Sequence, residues 1–145
     1  MEYLDKIEVR NICIDGSVVF AKENIGKGKV VLQFKGLKVI NKSGIHTLQI
    51  GPYKHLLVNE PWRYVNHSCN PNCGINDRVK LVAMRNIERD EEITFDYAMS
   101  ELEMRMECQC DSRNCRKSIT GYTGLSKNLK TKYKRFISSY LIIRV

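Results

Sequence analysis

The sequence predicts a mainly β (β-rich α+β) domain, and three observations lead to that class. Short runs rich in Val, Ile, Phe and Thr recur along the chain, as strands require. Several connections between them carry Gly, Asn and Ser, the residues that turns favour. No long apolar pattern with helical spacing occurs before residue 97. A chain of 145 residues suits one such domain with one main core.

Six predicted strands form this β body. In chain order they are residues 7–14 (IEVRNICI), 17–22 (SVVFAK), 29–34 (KVVLQF), 46–50 (HTLQI), 79–84 (VKLVAM) and 92–97 (EITFDY). Turns are predicted at residues 24–29 (NIGKGK) and 41–44 (NKSG). Residues 99–107 (MSELEMRME) have helical propensity but a weak apolar face, which indicates a short helix or a connector.

The C-terminal segment, residues 126–145, has a helical apolar period. Its apolar and aromatic side chains form one stripe, made of Leu129, Tyr133, Phe136, Ile137 and Tyr140. Lysine and arginine fill much of the remaining surface. We therefore expect a basic amphipathic helix that packs its stripe on the β body. We interpret its charge as a solvated face, with a surface that contacts nucleic acid as the alternative.

Charge is distributed unevenly along the chain. The formal net charge is +8, yet residues 112–145 carry 9 Lys/Arg and no acid, while acids concentrate in residues 88–111. Such an acidic surface would attract a basic ligand. No apolar run approaches the ~18 residues of a membrane span, and the N-terminal residues lack a signal-peptide pattern. We therefore expect a soluble, intracellular protein with no membrane partner.

The six cysteines indicate a metal site. Without a signal peptide, thiols or metal ligands are favoured over disulfides. A C-x-C-x4-C cluster consists of Cys108, Cys110 and Cys115. Three thiolates this close suit a tetrahedral zinc ion, which in a closed structural site takes four ligands. Cys69 and Cys73 are the candidates for the fourth, whereas Cys13 is interpreted as a buried apolar thiol in a strand.

Residues 63–73 (RYVNHSCNPNC) concentrate Asn, His, Ser and Cys between apolar strands. The Asn-Pro pair explains a turn but gives no role to the polar residues before it. If Cys69 supplies the fourth ligand, the metal ties the C-terminal cluster to this stretch across about 40 residues. The stretch would then be the wall of a site that a zinc-organised flap closes.

Several motifs occur in one order along the chain and together resemble a known family. Residues 63–72 resemble R-F/Y-x-N-H-S-C-x-P-N, and residues 91–97 (EEITFDY) resemble E-E-[IL]-x-F-D-Y. Residues 20–28 (FAKENIGKG) resemble F-A-x-x-x-I-x-x-G, and the cysteine cluster followed by Arg116 resembles a post-SET zinc element. This is the pattern of the SET-domain protein lysine methyltransferases. The resemblance covers roughly residues 18–122 and is to compact microbial or viral members.

The resemblance implies an organisation for the whole chain. It implies a SET-domain fold of small sheets with a knot-like C-terminal segment and a zinc-bound post-SET flap. The implied parts are a SET domain at residues 1–100, a post-SET zinc element at 101–125 and the basic C-terminal helix at 126–145. It further implies S-adenosylmethionine in a pocket on one face and a target lysine in a narrow channel from the other.

The resemblance also assigns roles to residues. Catalytic positions fall on Tyr97 and Phe95, and phenylalanine at the latter implies di- or trimethylation. Implied cofactor-binding residues are Gly16, Val18, Val19, Asn66, His67 and Tyr97. The implied zinc ligands are Cys69, Cys108, Cys110 and Cys115. The implied partner is a histone-like or other lysine-rich basic protein, and the charge of the basic C-terminal segment adds nucleic acid as a second candidate partner.

Two departures from the family pattern leave a second function open. Val18 stands where much of the family has the second glycine of the cofactor loop, and glycine permits close backbone approach to a ligand. Phe34 stands where the family has a tyrosine that lines the lysine channel. The alternative is a SET-like module that binds a basic peptide or nucleic acid without turnover. For His67, a catalytic base and a hydrogen-bonded core histidine are further alternatives.

Overall fold

A computed structural model describes residues 5–13, 16–44, 46–76 and 79–143, without the side chains of Cys13 and Ile143. The strands are β1 (Ile7–Cys13), β2 (Gly16–Ala21), β3 (Val30–Gln33), β4 (Gly36–Ile40), β5 (Thr47–Gly51), β6 (Lys54–Val58), β7 (Asn66–His67), β8 (Cys73–Ile75), β9 (Lys80–Ala83), β10 (Thr94–Phe95), β11 (Met106–Glu107) and β12 (Ser118–Ile119). Two short helices follow, α1 (Lys127–Lys132) and α2 (Ser139–Ile143). Single 3₁₀ turns lie at Trp62–Tyr64, Tyr97–Met99 and Tyr122–Gly124.

The strands form small sheets. The largest has the order β3-β9-β8-β10-β7, and a three-stranded sheet has the order β4-β6-β5. Two hairpin-like pairs, β1-β2 and β11-β12, complete the set. Most neighbours are antiparallel, but β10 runs parallel to both β7 and β8. The predicted mainly β class is therefore confirmed.

Five of the six predicted strands match strands of the structure closely, and the rest of the pattern differs. The predicted strand at residues 92–97 shortens to β10, because its last residues turn into the Tyr97–Met99 3₁₀ turn. The residue at the end of the first predicted strand, Ile14, lies outside the described residues. Six strands were missed: β4, β6, β7, β8, β11 and β12. Lysine and histidine interrupt β4 and β6, so neither forms a continuous apolar run.

One hydrophobic core unites the sheets and the C-terminal segment. Its fully buried members from the large sheet include Val31, Leu32, Ile75 and Leu81. The side chains of Tyr133, Ile137 and Leu141 join the same core from the C-terminal segment. Each large aliphatic side chain buried in this way contributes about 1.5–3 kcal/mol. The tail is thus an integral part of the body.

The C-terminal segment differs from the single helix that the sequence predicts. It forms α1 and α2 with a break between them, and its last two residues lie outside the described chain. In the break, the Phe136 carbonyl accepts the Ile75 N–H at 3.2 Å, and the Ser138 N–H donates to Met99 at 2.9 Å. Backbone groups that bond to the body in this way are not available for a continuous helical ladder.

The break also depends on a close approach to β8. A Cβ atom added at Gly74 would clash with Phe136, so only glycine allows the tail to lie against this strand.

The irregular connection at residues 100–105 confirms the connector alternative for the region after Tyr97. Within the described part of the chain, no helix is both long and apolar enough to span a membrane.

Candidate active site and metal centre

Strand β10 brings the two polar motifs side by side. Thr94 pairs with Asn66, and Phe95 pairs with both His67 and Cys73. The buried side chain of Asn72 completes this arrangement, because its amide accepts the Thr94 N–H at 3.0 Å and donates to the Glu92 carbonyl at 2.7 Å. The Asn72 side chain therefore makes the hydrogen bonds to residues 92–94 that a neighbouring strand would make. This gives the third asparagine of residues 63–73 a structural role.

An aromatic cavity of about 660 Å³ opens on one side of β10. Its walls include Phe34, Trp62, Phe95 and Tyr97. The Phe34 and Phe95 rings meet edge to face with centroids 5.7 Å apart, and Phe95 and Tyr97 are 5.0 Å apart. Such packing fixes the ring orientations and gives the cavity an apolar wall beside β10.

A more polar cavity of about 420 Å³ opens on the other side. Asn66, His67, Tyr97 and residues 107–111 of the cysteine segment line it. The Asn66 amide nitrogen donates to Glu92 at 2.9 Å, which fixes the orientation of the Asn66 side chain. A third cavity of about 550 Å³ is lined by Gly16 and Val18; it shares Asn66 with the polar cavity, and His46 and Arg63 with the aromatic cavity.

Not every residue implied for the cofactor reaches these cavities. Val19 is fully buried in the core, and its carbonyl accepts the Ile93 N–H at 2.8 Å. Among the described residues that line the three cavities, Val19 does not appear. Arg63, which the sequence analysis did not single out for the cofactor, lines the third cavity beside Gly16. Its place in the same polar motif as Asn66, three residues before it, was the available signal.

Tyr97 lies at the boundary between the aromatic and polar cavities and lines both. Its hydroxyl donates to the Val65 carbonyl at 2.9 Å, and its backbone N–H donates to His67 Nδ1 at 3.1 Å. Burial raises the pKa of Tyr97 to about 12, so the hydroxyl stays protonated at neutral pH. A protonated, fixed hydroxyl is thus available where the cavities meet.

His67 is held between Tyr97 and a cysteine. Since Nδ1 accepts a hydrogen bond, the ring proton is assigned to Nε2, which lies 3.3 Å from Cys69 Sγ. Burial lowers the pKa of His67 to about 4, although the Asp96 carboxylate lies 3.6 Å away. His67 is therefore neutral at pH 7, and this geometry favours the hydrogen-bonded histidine over a catalytic base.

Four cysteines come together beside His67. The Sγ atoms of the cluster lie within 4.8 Å of one another, and its members are Cys69, Cys108, Cys110 and Cys115. A tetrahedral zinc with Zn–S bonds of about 2.3 Å separates its sulfurs by roughly 3.8 Å. The Cys69 and Cys108 sulfurs are 3.7 Å apart. The donor set and its spacing therefore fit zinc, with Cys69 in the fourth position.

The alternative fourth ligand lies elsewhere. Cys73 is fully buried in β8 and is not part of the cluster, and burial raises the pKa of its thiol. Such a thiol is inert and poorly suited to bind metal. The side chain of Cys13 lies outside the described residues, so its interpretation as a buried thiol stays a prediction.

Backbone N–H groups converge on the cluster sulfurs. Cys69 N–H donates to Cys110 at 3.5 Å, Arg116 N–H to Cys69 at 3.4 Å, and Lys117 N–H to Cys115 at 3.4 Å. Burial opposes ionisation of Cys110, yet hydrogen bonds from Ser112 and the Cys69 N–H outweigh it and lower its pKa to about 6. These contacts are the outer-shell support that thiolate ligands require.

A buried ion pair connects the cysteine segment to Tyr97. Arg116 donates twice to the Asp96 carboxylate, at 2.7 and 2.9 Å, and Asp96 is fully buried. The same carboxylate accepts the Ala98 N–H at 3.0 Å and so caps the 3₁₀ turn that begins at Tyr97. Asp96 and Arg116 lie in separate motifs of the sequence, and nothing in their spacing shows that they pair.

The comparison with protein families agrees with this arrangement. The family model for the SET domain matches residues 16–98, which is more than half of the chain. The chain therefore belongs to the SET domain family.

Curated relatives share parts of this chain. An Aspergillus oryzae histone-lysine N-methyltransferase, described as H3 lysine-4 specific, is 30% identical over 125 residues, covering 68% of this chain and 10% of the relative. Histone-lysine N-methyltransferase ASHR3 of Arabidopsis thaliana is 38% identical over 72 residues, covering 45% of this chain and 14% of the relative. This chain thus spans only a small part of the length of either protein.

Solved structures share the fold. KRYPTONITE in complex with mCHG DNA and SAH has a TM-score of 0.65 at 27% identity, over 78% of this chain and 28% of that one. A second KRYPTONITE structure, with mCHH DNA, an H3(1-15) peptide and SAH, gives 0.64 over 78% of this chain and 29% of that one, again at 27% identity. The methyltransferase domain of human SETMAR, at 19% identity, gives 0.59 over 79% of this chain and 58% of that one and supports the fold alone.

We predict that the purified protein carries one zinc ion on the four clustered cysteines. Replacing any one of these cysteines by serine should lower the zinc content, measured by elemental analysis, because a closed site needs all four thiolates. Cys73→Ala is the matched control and should retain the metal. Retention of zinc by Cys69→Ser, or its loss in Cys73→Ala, would contradict the assignment.

We predict that Arg116→Gln destabilises the zinc-loaded protein by about 3–5 kcal/mol, because it leaves the Asp96 charge buried without a partner. Denaturant unfolding measures the change. Arg113→Gln, on an exposed arginine of the same segment, should have little effect. Adding Asp96→Asn to the variant should recover part of the loss, and a double variant no better than Arg116→Gln would show that the charge is not the cause.

Proposed function

We propose that this chain transfers methyl groups from S-adenosylmethionine to lysine side chains of a basic protein. One observation carries the proposal: Tyr97 lines an aromatic cavity on one side and a polar cavity on the other. A reaction between a long aliphatic amine and a polar cofactor needs two such sites that meet at one point. The relatives named as histone-lysine methyltransferases support the same reaction.

The aromatic cavity suits the lysine. Free lysine has a pKa of ~10.4, so at pH 7.4 only about one amine in 10³ is neutral and nucleophilic. An apolar channel disfavours the ammonium and shifts that balance toward the amine. Phe34, Phe95 and Tyr97 supply the apolar walls, and the Tyr97 hydroxyl is fixed beside the place where the amine would lie.

The polar cavities suit the cofactor, which when bound supplies the methyl group as an electrophile on a sulfonium. Asn66, His67 and Tyr97 would contact it from the motif segment, and Gly16 and Val18 from β2. The meeting of the second and third cavities at Asn66 supports one continuous cleft. SAH in the KRYPTONITE structures supports this class of ligand. For Val19, only a backbone or packing role is compatible with its burial.

The substrate is proposed to be a histone-like protein. The H3(1-15) peptide in a KRYPTONITE structure and the concentration of acids in residues 88–111 support a basic partner. Nucleic-acid contact by the basic tail has support from its charge and from the DNA in the same structures.

We retain the proposed division into residues 1–100, 101–125 and 126–145, with the middle part as the zinc flap.

Methyl transfer separates this proposal from the binding-module alternative that Val18 and Phe34 raise. The zinc-loaded protein is incubated with radiolabelled S-adenosylmethionine and histone H3. We predict that Tyr97→Phe lowers turnover by about 10²-fold, because a positioned hydroxyl is lost from the transition state. Cofactor affinity, measured by calorimetry, should stay close to wild type. Wild-type binding of H3 without any methyl transfer would favour the binding module.

The number of methyl groups is proposed to be two or three. Phe95 is buried between the rings of Phe34 and Tyr97 and brings no hydroxyl to the channel. A tyrosine there would occupy space and anchor a water where a further methyl group must fit. Phe95→Tyr should therefore shift the products toward monomethyl-lysine while activity persists. Mass spectrometry resolves the states, and a wild type that stops at monomethyl-lysine would contradict the role of Phe95.

A further inference from the structure

One carboxylate that lines the aromatic cavity, that of Glu101, has no role so far in the zinc site or in the binding of the cofactor. Resting on the proposed function, we propose that Glu101 selects the cationic side chain that enters this cavity. Its carboxylate would pair with the ammonium group of the target lysine before the amine loses its proton. Glu101 is thus a specificity-determining residue that acts on the charged, incoming form of the substrate.

The geometry leaves one carboxylate oxygen free for this role. Glu101 Oε2 accepts the Gln49 N–H at 2.9 Å and the Ser100 hydroxyl at 2.8 Å. From the described residues, Oε1 accepts no hydrogen bond. Oε2 therefore anchors the side chain, and Oε1 has no partner among the described residues that line the aromatic cavity.

The charges around the cavity make Glu101 the natural partner of a cation. It is the only acid among the described residues that line the cavity. Of the two arginines there, Arg63 is paired with Glu60 at 2.6 Å and Arg105 is exposed. Burial raises the pKa of Glu101, which reflects the cost of holding this charge without a counter-ion. An incoming ammonium would relieve that cost.

The free oxygen also favours lysine over arginine. A guanidinium pairs best with a carboxylate through two parallel bonds, which needs both oxygens. Oε2 already accepts two bonds, so a compact ammonium on Oε1 is the better fit. The aromatic walls favour the aliphatic stem of lysine at the same time.

The pairing has a kinetic signature, because it stabilises the ammonium rather than the reacting amine. The ammonium must leave the carboxylate and give its proton to water before the neutral amine attacks the methyl carbon, and that attack breaks the S–CH3 bond and leaves SAH. Removing the charge should therefore weaken substrate binding and raise KM without a comparable fall in kcat. A residue with only a structural role would lower stability and leave the preference for a cation unchanged.

Glu101→Gln isolates the charge. An amide oxygen in place of Oε2 can still accept the bonds from Gln49 and Ser100, so the anchoring is retained. Glu103→Gln is the matched control, because Glu103 is exposed two residues away. Thermal melts of both variants, zinc-loaded, verify that folding is preserved.

The test compares two peptides by calorimetry with SAH present: H3(1-15), and the same peptide with every lysine replaced by norleucine. We expect wild type and Glu103→Gln to prefer the lysine peptide by about tenfold, as a charge-assisted contact provides, and Glu101→Gln to lose most of that preference. With H3(1-15) as methyl acceptor, Glu101→Gln should raise KM by a similar factor, while kcat changes by less.

An unchanged lysine preference in Glu101→Gln would overturn the proposal. So would a wild type with no preference, or a variant whose only change is a lower melting temperature. The binding measurement needs no turnover. A wild type that prefers the lysine peptide through Glu101 but transfers no methyl would therefore reject the proposed function and leave the role of Glu101 standing.

Discussion

The architecture of the site depends on one ion pair, between Asp96 and Arg116. Asp96 is fully buried, and burying a carboxylate costs several kcal/mol unless it is paired and hydrogen-bonded. Arg116 pairs with it through two bonds, and the Ala98 N–H provides a third. Asp96 directly precedes Tyr97, and Arg116 directly follows the cluster residue Cys115. The pair therefore fastens the metal-binding segment to the turn that carries the proposed catalytic tyrosine.

Two chains of contacts thus lead from the cysteine cluster to Tyr97. One passes through Arg116 and Asp96. The other passes from Cys69 to His67, whose Nδ1 accepts the Tyr97 backbone N–H. Because both end at the same residue, the cluster and the boundary between the two cavities form one mechanical unit. A zinc ion on the cluster would hold both sets of contacts in place. It would thereby pre-organise the site without taking part in the chemistry.

The sequence predicted the β class, the motif segments and three members of the cysteine cluster, because each has a local pattern or a distinctive residue type, whereas the choice of Cys69 over Cys73 came from the family resemblance. It missed β4 and β6, whose lysines break the apolar runs, and it joined α1 and α2 into one helix. That break arises from bonds to Ile75 and Met99, which are remote in sequence. The partners of Asp96 and the position of Glu101 could not be predicted for the same reason, because the residues involved are remote in sequence. Val19 shows the converse, since its motif position suggested a cofactor contact while its side chain faces the core.

If the metal organises the site while the core is stable without it, zinc removal should lower the affinity for the cofactor and leave the core folded. SAH affinity of zinc-loaded and zinc-stripped protein would be measured by calorimetry, with amide exchange in β8 and β9 as the measure of the core. We expect zinc removal to weaken SAH binding by about tenfold or more while protection in β8 and β9 persists. Equal affinity in the two forms, or loss of protection in both strands, would contradict the account.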